Sequence, residues 1–264
     1  MVRIYSSVSH AGGSTVAFIN LTNTLNEAGC ETVFYGPHSW HLDKCKSVLA
    51  TEKKIYFEQD DVLIIHLISV FRERPDVKKI IFSSHEQDIF PLNKIQYDVF
   101  DKIHYVSEHQ RKFHNVRHPY FILPNILDEL KVNKVDGKIG GIISSIDKNK
   151  QVHVSIQRAL DDGCEKVLIF GNISEQWYWQ DFVSPLVDGV RVVHMGFQDD
   201  KQKMYDSFTD LYFSSIRECA PYVLGEAKMA GKKIHTLEGK NYLNVEYEFD
   251  KNKIVKSWIK EIGL

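Results

Sequence analysis

The chain has 264 residues, 43% of them hydrophobic, which is enough for two ordinary domains or one large one without disulfide or metal staples. Its 33 basic and 35 acidic residues leave a net charge of −2 and form no basic stripe, so no nucleic-acid partner is expected. Cys30, Cys45, Cys164 and Cys219 make no Cys-x-x-Cys pair, which argues against a zinc or redox motif and for reduced thiols in a cytoplasmic protein. The first residues run straight into a strand-like stretch without signal-peptide character, and no run of about 18 apolar residues predicts a transmembrane segment.

Val2–Val8 reads as a buried strand, followed by Ala11-Gly12-Gly13-Ser14 and an amphipathic helix over Thr15–Ala28, with Ser14 placed to cap it and Gly29 to end it. Thr32–Tyr35, Asp61–Ile68 and Lys79–Ser84 are further apolar runs of strand length. Their continuous apolarity, interleaved with helical segments, predicts a parallel sheet covered on both faces. Short strands at Ile103–Val106 and Phe121–Leu123 flank a helix over Glu108–His114, and the polar tract Asp128–Gly137 reads as a linker.

Alternation restarts at Ile139–Ile143. It continues through a helix at His153–Asp161, Lys166–Phe170 ending in Gly171, a helix near Trp177–Pro185 and Val190–His194. A helix at Asp200–Ser207, Leu211–Phe213, a helix at Tyr222–Ala230 and Lys233–Thr236 complete the pattern. The expected fold is α/β, two doubly wound parallel-sheet domains facing a cleft: residues 1–130, residues 131–250, and a helix within 251–264 returning to the first domain through an apolar face bearing Trp258.

Ligands of such sheets collect at the carboxyl ends of the strands, where helix N-termini favour anions. Four loops qualify. Gly12-Gly13 lets the backbone approach a ligand but lacks dinucleotide or P-loop spacing, and a plain tight turn reads equally well. Ser145-Ile146-Asp147-Lys148-Asn149-Lys150 carries two lysines able to neutralise a diphosphate, or merely solvated ones. His85-Glu86-Gln87-Asp88 places an imidazole and two acids behind an apolar strand. The most informative stretch is Ser214–Ala227, which runs from strand through loop to helix with Pro221 near the first turn. Its carboxylates Glu218 and Glu226, eight positions apart, can accept hydrogen bonds from sugar or ribose hydroxyls. Trp177, Tyr178 and Trp179 read either as a sugar-stacking surface or as helix packing.

The order of elements, and above all Tyr212–Ile234 with its Ser-x-x-Glu, seven-residue gap, Glu-Ala and following Gly231, resembles the GT-B glycosyltransferases, in particular the retaining family four, over nearly the whole chain. The resemblance implies that Glu226 binds ribose hydroxyls and that Glu218, with the amides of Ala220, Pro221-flanked Tyr222 and Val223, addresses the donor sugar and phosphates. It further implies that Gly12, Gly13, Ser145, Lys148, Lys150 and Gly171 line the donor site, and that Glu218, His85 and Lys150 are the catalytic residues. Ser107 and Asn125 are weaker matches. Where the family carries Gly-Arg, this chain has Ser144-Ser145, so half of the usual diphosphate clamp is absent.

The implied activity is metal-independent, retaining transfer from a nucleoside-diphosphate sugar to a saccharide, lipid-linked or protein acceptor, with no cofactor and no metal site. A nucleotide-sugar epimerase or hydrolase of the same fold, and a catalytically silent binding protein, remain as alternatives.

Overall fold

The computed structural model describes residues 1–8, 12–37, 40–46, 50–66, 73–85 and 97–264. Among the expected features, Ala11, Leu67-Ile68 and Glu86-Gln87-Asp88 lie outside them. The chain divides into two units, Met1–Leu127 with Asn244–Leu264, and Asp128–Leu243.

The first unit is built on seven parallel strands: β1 (Val2–Ser6), β2 (Thr32–Tyr35), β3 (Ala50–Thr51), β4 (Val62–His66), β5 (Lys79–Ser84), β6 (Lys102–Tyr105) and β7 (Tyr120–Ile122). Their order is β3-β2-β1-β4-β5-β6-β7. The apolar runs explain the burial of both faces. Successive strand residues point to opposite sides, so Ile64 and Ile81 join one core with Phe18 and Leu25, while Leu63, Ile65, Ile80 and Phe82 join another with Phe100 and Tyr105. Helix α1 (Gly13–Glu27) covers the first side, with the short α2 (Trp40–Lys44) following β2 and α3 (Glu108–His114) following β6.

Ser14 does not cap α1. The helix begins at Gly13, and the capping position is taken by Gly12, two residues before Ser14, which is extended and has no side chain to make a cap bond. Gly29, at φ +82°, does close the helix.

The second unit holds five parallel strands: β8 (Ile139–Ile143), β9 (Lys166–Phe170), β10 (Val192–Gly196), β11 (Asp210–Phe213) and β12 (Lys233–Thr236), in the order β10-β9-β8-β11-β12. Helices α4 (Val152–Asp161), α5 (Gln176–Tyr178), α6 (Lys201–Tyr205) and α7 (Tyr222–Met229) connect them. Gly141 in β8 is required by packing: any side chain there would run into the Phe208 ring.

The expected helix near Trp177–Pro185 is a composite, α5 continuing into a π turn over Trp179–Val183 and a 3₁₀ turn over Ser184–Leu186. Pro185 has no N–H to extend an α ladder. Tyr178 is buried and bonded to His153 Nδ1 at 2.6 Å, Trp179 packs on His194, and Trp177 stays 48% exposed. β10 starts at Val192 rather than Val190 because Asp188 Oδ1 accepts from the amides of Val190, Arg191 and Val192 and holds them in a turn. The polar tract 128–137 is not a free linker. Leu130 is buried, Lys131 N–H donates to Gln202 Oε1 at 2.8 Å, and Asn133 Nδ2 donates to Asp206 at 2.9 Å, so the tract is laced along the second unit.

The last helix, α8 (Lys251–Ile262), is capped by Asp250 and contributes Ile254, Val255, Trp258 and Ile262 to the core beneath α1. Trp258 meets the rings of His104 at 4.6 Å and Phe121 at 5.3 Å. No helix of the described residues is long and apolar enough to cross a membrane, and all four cysteines are thiols rather than disulfides.

Two buried features give stability predictions. Trp258→Ala empties a fully packed site and is expected to cost about 3–5 kcal/mol in urea denaturation. Asp61, 3% exposed, accepts from Arg3 Nε at 2.5 Å and from the Glu58 amide at 2.7 Å. Burial alone would raise its carboxyl, but Arg3 and that amide outweigh burial and hold it below the usual carboxylate range. Asp61→Ala leaves Arg3 uncompensated, with an expected loss of about 3–5 kcal/mol at pH 7. A depressed carboxylate stabilises above its unfolded value and loses that contribution as pH falls through the folded one. The deficit of the variant is therefore expected to narrow below about pH 4, as read from denaturation curves across pH.

Candidate functional site

In the second unit the strand order reverses between β8 and β11, and the loops leaving their carboxyl ends, 144–151 and 214–221, lie side by side. They are tied by backbone and side chain alike. Ile216 N–H donates to the Asn149 carbonyl at 2.8 Å, and Asn149 Nδ2 donates to the Arg217 carbonyl at 3.2 Å. Lys150 Nζ donates to Glu218 Oε1 at 2.5 Å, and Ser215 Oγ–H donates to the same oxygen at 2.6 Å. Tyr242 clamps the loop from outside, its hydroxyl donating to the Ser215 carbonyl at 2.5 Å.

Asp147 organises the first loop, accepting from Ser145 Oγ–H at 2.5 Å and from the Lys150 amide at 3.0 Å. Lys148 points to solvent while its amide is held by Glu175 at 2.9 Å. Gly171, after β9, has φ +144°, and a side chain there would collide with the Ser144 carbonyl, so only glycine permits the close approach.

Helix α7 opens directly onto this edge. Pro221 is its N-cap residue, Ala220 precedes it, and the first-turn amides of Tyr222 and Val223 have no intrahelical acceptor. A helix N-terminus beside a lysine favours an anion such as a phosphate. Among the described residues, no group of three or more His, Cys, Asp or Glu is placed to hold a metal ion.

Glu226, on the inner face of α7, is enclosed. Its Oε1 accepts from Lys201 Nζ at 2.6 Å and its Oε2 from the Tyr205 hydroxyl at 3.0 Å, with 4% of the side chain exposed. Lys201 also reaches Asp128 at 2.7 Å and lies 5.7 Å from the Tyr222 ring centre. Burial alone would lower the Lys201 ammonium, but Glu226 and Asp128 outweigh it and hold it above the ordinary lysine value. The same two carboxylates add to burial in raising the Tyr222 phenol. Glu218 and Glu226 thus answer to different cations, Lys150 and Lys201.

In the first unit, Gly12 and Gly13 begin α1 behind β1, and His85 follows β5. His85 Nε2 lies 3.1 Å from Ser83 Oγ, which lies 2.8 Å from His104 Nδ1. His104 Nε2 reaches the Leu123 carbonyl at 2.8 Å. The His66 ring meets His85 edge-on at 5.5 Å, and Phe18 does so at 4.7 Å. Burial, reinforced by His66 and His104, holds His85 well below the usual histidine range, and burial takes His104 down to about 4. Asn125 lines a small cavity with Phe18, His85, His104 and Trp258. Ser107 is the N-cap of α3 and accepts from the Gln110 amide at 3.2 Å, a structural duty.

Lys201, Tyr205, Asn149, Tyr242, Ser83 and His104 join these clusters without having been singled out from the sequence. Asn149 stands inside the lysine loop and was within reach of a motif reading. The others are brought in by pairings across 21 to 27 residues or lie inside apolar strands.

No protein-family model and no curated protein matches the chain. Solved structures do. Anabaena HepE, in complex with UDP and glucose, superposes with a TM-score of 0.70 at 11% identity over 99% of this chain and 90% of its own. WaaG, a glycosyltransferase involved in lipopolysaccharide biosynthesis, gives 0.64 at 12% over 100% and 91%, and a glycosyltransferase from Rickettsia africae 0.64 at 11% over 99% and 87%. At these identities the likeness is one of fold: two parallel-sheet α/β domains of the GT-B type.

The enclosure of Glu226 is testable. Lys201→Met leaves a buried carboxylate facing the Tyr205 hydroxyl alone, and about 3 kcal/mol of stability is expected to be lost, with part recovered in the Lys201→Met/Glu226→Gln double variant. Because the ammonium is held above its ordinary value, its contribution is full at neutral pH and is lost as pH rises through the raised value. Thermal denaturation of the wild type and both variants at pH 7 and pH 11 checks both points.

Proposed function

We propose that this GT-B chain is a retaining hexosyltransferase that takes a sugar from a nucleoside-diphosphate donor, without a metal ion, to a saccharide, lipid-linked or protein acceptor in the cytoplasm. The observation that carries the reading is the Lys150–Glu218–Ser215 cluster at the β8/β11 switch point, beside the open N-terminus of α7. HepE, a structural neighbour, is described with UDP-glucose, which supports a nucleotide sugar as the donor class.

In this mechanism the bond from the anomeric carbon to the diphosphate oxygen breaks, and the departing charge is met by Lys150 and the first-turn amides of α7. An acceptor hydroxyl attacks the same face. Its proton passes to an oxygen of the leaving diphosphate, and the new glycosidic bond keeps the original configuration. Glu218, fixed by Ser215 as well as by Lys150, stays oriented when phosphate oxygens compete for the lysine, and accepts hydrogen bonds from sugar hydroxyls. Glu226 addresses the ribose, with Lys201 and Tyr205 setting the position of its carboxylate. His85 contributes a neutral imidazole.

Ser144-Ser145, where the resembled family carries Gly-Arg, favours a second reading: nucleotide-sugar binding without transfer.

Calorimetric titration with UDP-, GDP- and ADP-glucose tests the donor site. One of the three is expected to bind, with Lys150→Ala weakening it by about tenfold to a hundredfold, the range of a charge-assisted hydrogen bond. Binding of none would sink the reading. Nucleotide release over an acceptor panel, abolished by Glu218→Ala, supports transfer, and binding with no release supports the silent alternative.

A further inference from the structure

The fold divides the triplet Trp177-Tyr178-Trp179. Tyr178 is buried and Trp179 packs on His194, whereas Trp177 keeps 48% of its surface open. The π turn that follows adds a second ring. Its Ser184 amide donates to the Trp179 carbonyl five residues back, a wider turn than an α ladder makes, and Phe182 is carried round to meet Trp177 edge-on at 6.2 Å. Phe182 is 45% exposed and stacks on Tyr178 at 5.6 Å, so a buried ring holds it in place. Two large rings are thus fixed side by side and left in water, the mark of a surface that meets something else.

His153, in the first turn of α4, completes this surface with its ring 5.3 Å from that of Phe182. Its backbone N–H reaches the Tyr178 hydroxyl at 3.5 Å, which accepts there. That hydroxyl is buried, and its one acceptor among the described residues is His153 Nδ1 at 2.6 Å, so its single proton goes to that nitrogen. Burial lowers His153, which is neutral at pH 7 and carries its ring proton on Nε2. Nε2 has no protein partner among the described residues and is not sealed from solvent, which makes it a free donor beside the two rings.

The charges nearby are mainly acidic. Glu175 directly precedes α5 and Asp181 is exposed within the π turn, against the single Lys148, whose amide bonds Glu175. That balance disfavours phosphates and anionic lipid headgroups. Open rings with one outward N–H and no excess of positive charge suit a ligand that has apolar C–H faces and neutral hydroxyls.

We propose that Trp177, Phe182 and His153 form a binding surface for a neutral saccharide. The rings cover the C–H face of a pyranose, and His153 Nε2–H donates to one of its hydroxyl or ring oxygens. The surface lies wholly within the second unit and shares no residue with the Lys150–Glu218 cluster, so it stands whether or not the donor reading does.

Saturation-transfer difference spectra of the full chain with maltose, lactose and diacetylchitobiose as probes test it. At least one probe is expected to receive saturation, chiefly through the C–H protons of one pyranose face. Trp177→Ala, a change at an exposed position, is expected to keep the melting temperature and remove the signal. His153→Ala is expected to weaken the affinity by about threefold to tenfold, the range of one neutral hydrogen bond. No transfer to any probe, or transfer that Trp177→Ala leaves unchanged, overturns the proposal. So does a chain that takes no saccharide but shows Trp177-dependent sedimentation with phosphatidylglycerol–phosphatidylcholine vesicles, or a Trp177-dependent dimer. UDP-glucose titration of Trp177→Ala is expected to match the wild type. A wild-type chain that binds UDP-glucose and no disaccharide loses the saccharide surface alone, whereas one that binds a disaccharide and no nucleotide sugar loses the donor reading alone.

Discussion

A wholly parallel sheet has no face to spare for solvent, and that constraint organises both halves of this protein. With helices on both sides, strand residues of either parity are predominantly apolar, which accounts for the continuous runs in β4 and β5. It also drives the chemistry outwards. Polar groups that would be costly within the sheet are tolerated at the carboxyl ends, where loops and helix N-termini supply donors, and Lys150, Glu218, Gly171 and His85 all stand there.

Within that frame the charged residues are arranged in pairs that share a partner. Glu218 is met by an ammonium and a hydroxyl, and so is Glu226, with Ser215 and Tyr205 as the respective hydroxyls. A carboxylate bonded twice keeps one donor when the other is drawn to a ligand. The cost of desolvating it is thereby offset in the empty and the filled site alike. Ser83 and His104 follow the same rule within β5 and β6, each bonded twice: Ser83 to His85 and His104, and His104 to Ser83 and the Leu123 carbonyl.

The C-terminal helix links stability to this polar row. α8 belongs to the first unit's core, and Trp258 is at once a packing residue for α1 and the ring against His104. A single apolar face read from residues 254 to 262 therefore supports a polar cluster whose other members lie between residues 83 and 123.

By itself the sequence determined what depends on neighbours along the chain. β9, β12 and α3 keep the bounds read from the sequence, and the strand–loop–helix around Glu218 and Glu226 is readable from Pro221 and the glutamate spacing. Local departures, such as Gly12 replacing Ser14 as a cap and the π turn before Pro185, arose where backbone freedom or a missing N–H overrode periodicity. The tertiary structure alone decided the partners: Lys150 for Glu218 across 68 residues, Lys201 for Glu226 across 25, and Ser83 between two histidines. Such pairings follow from which strands become neighbours in the sheet, and side-chain hydrogen bonds, unlike helix and strand periods, leave no regular spacing in the sequence.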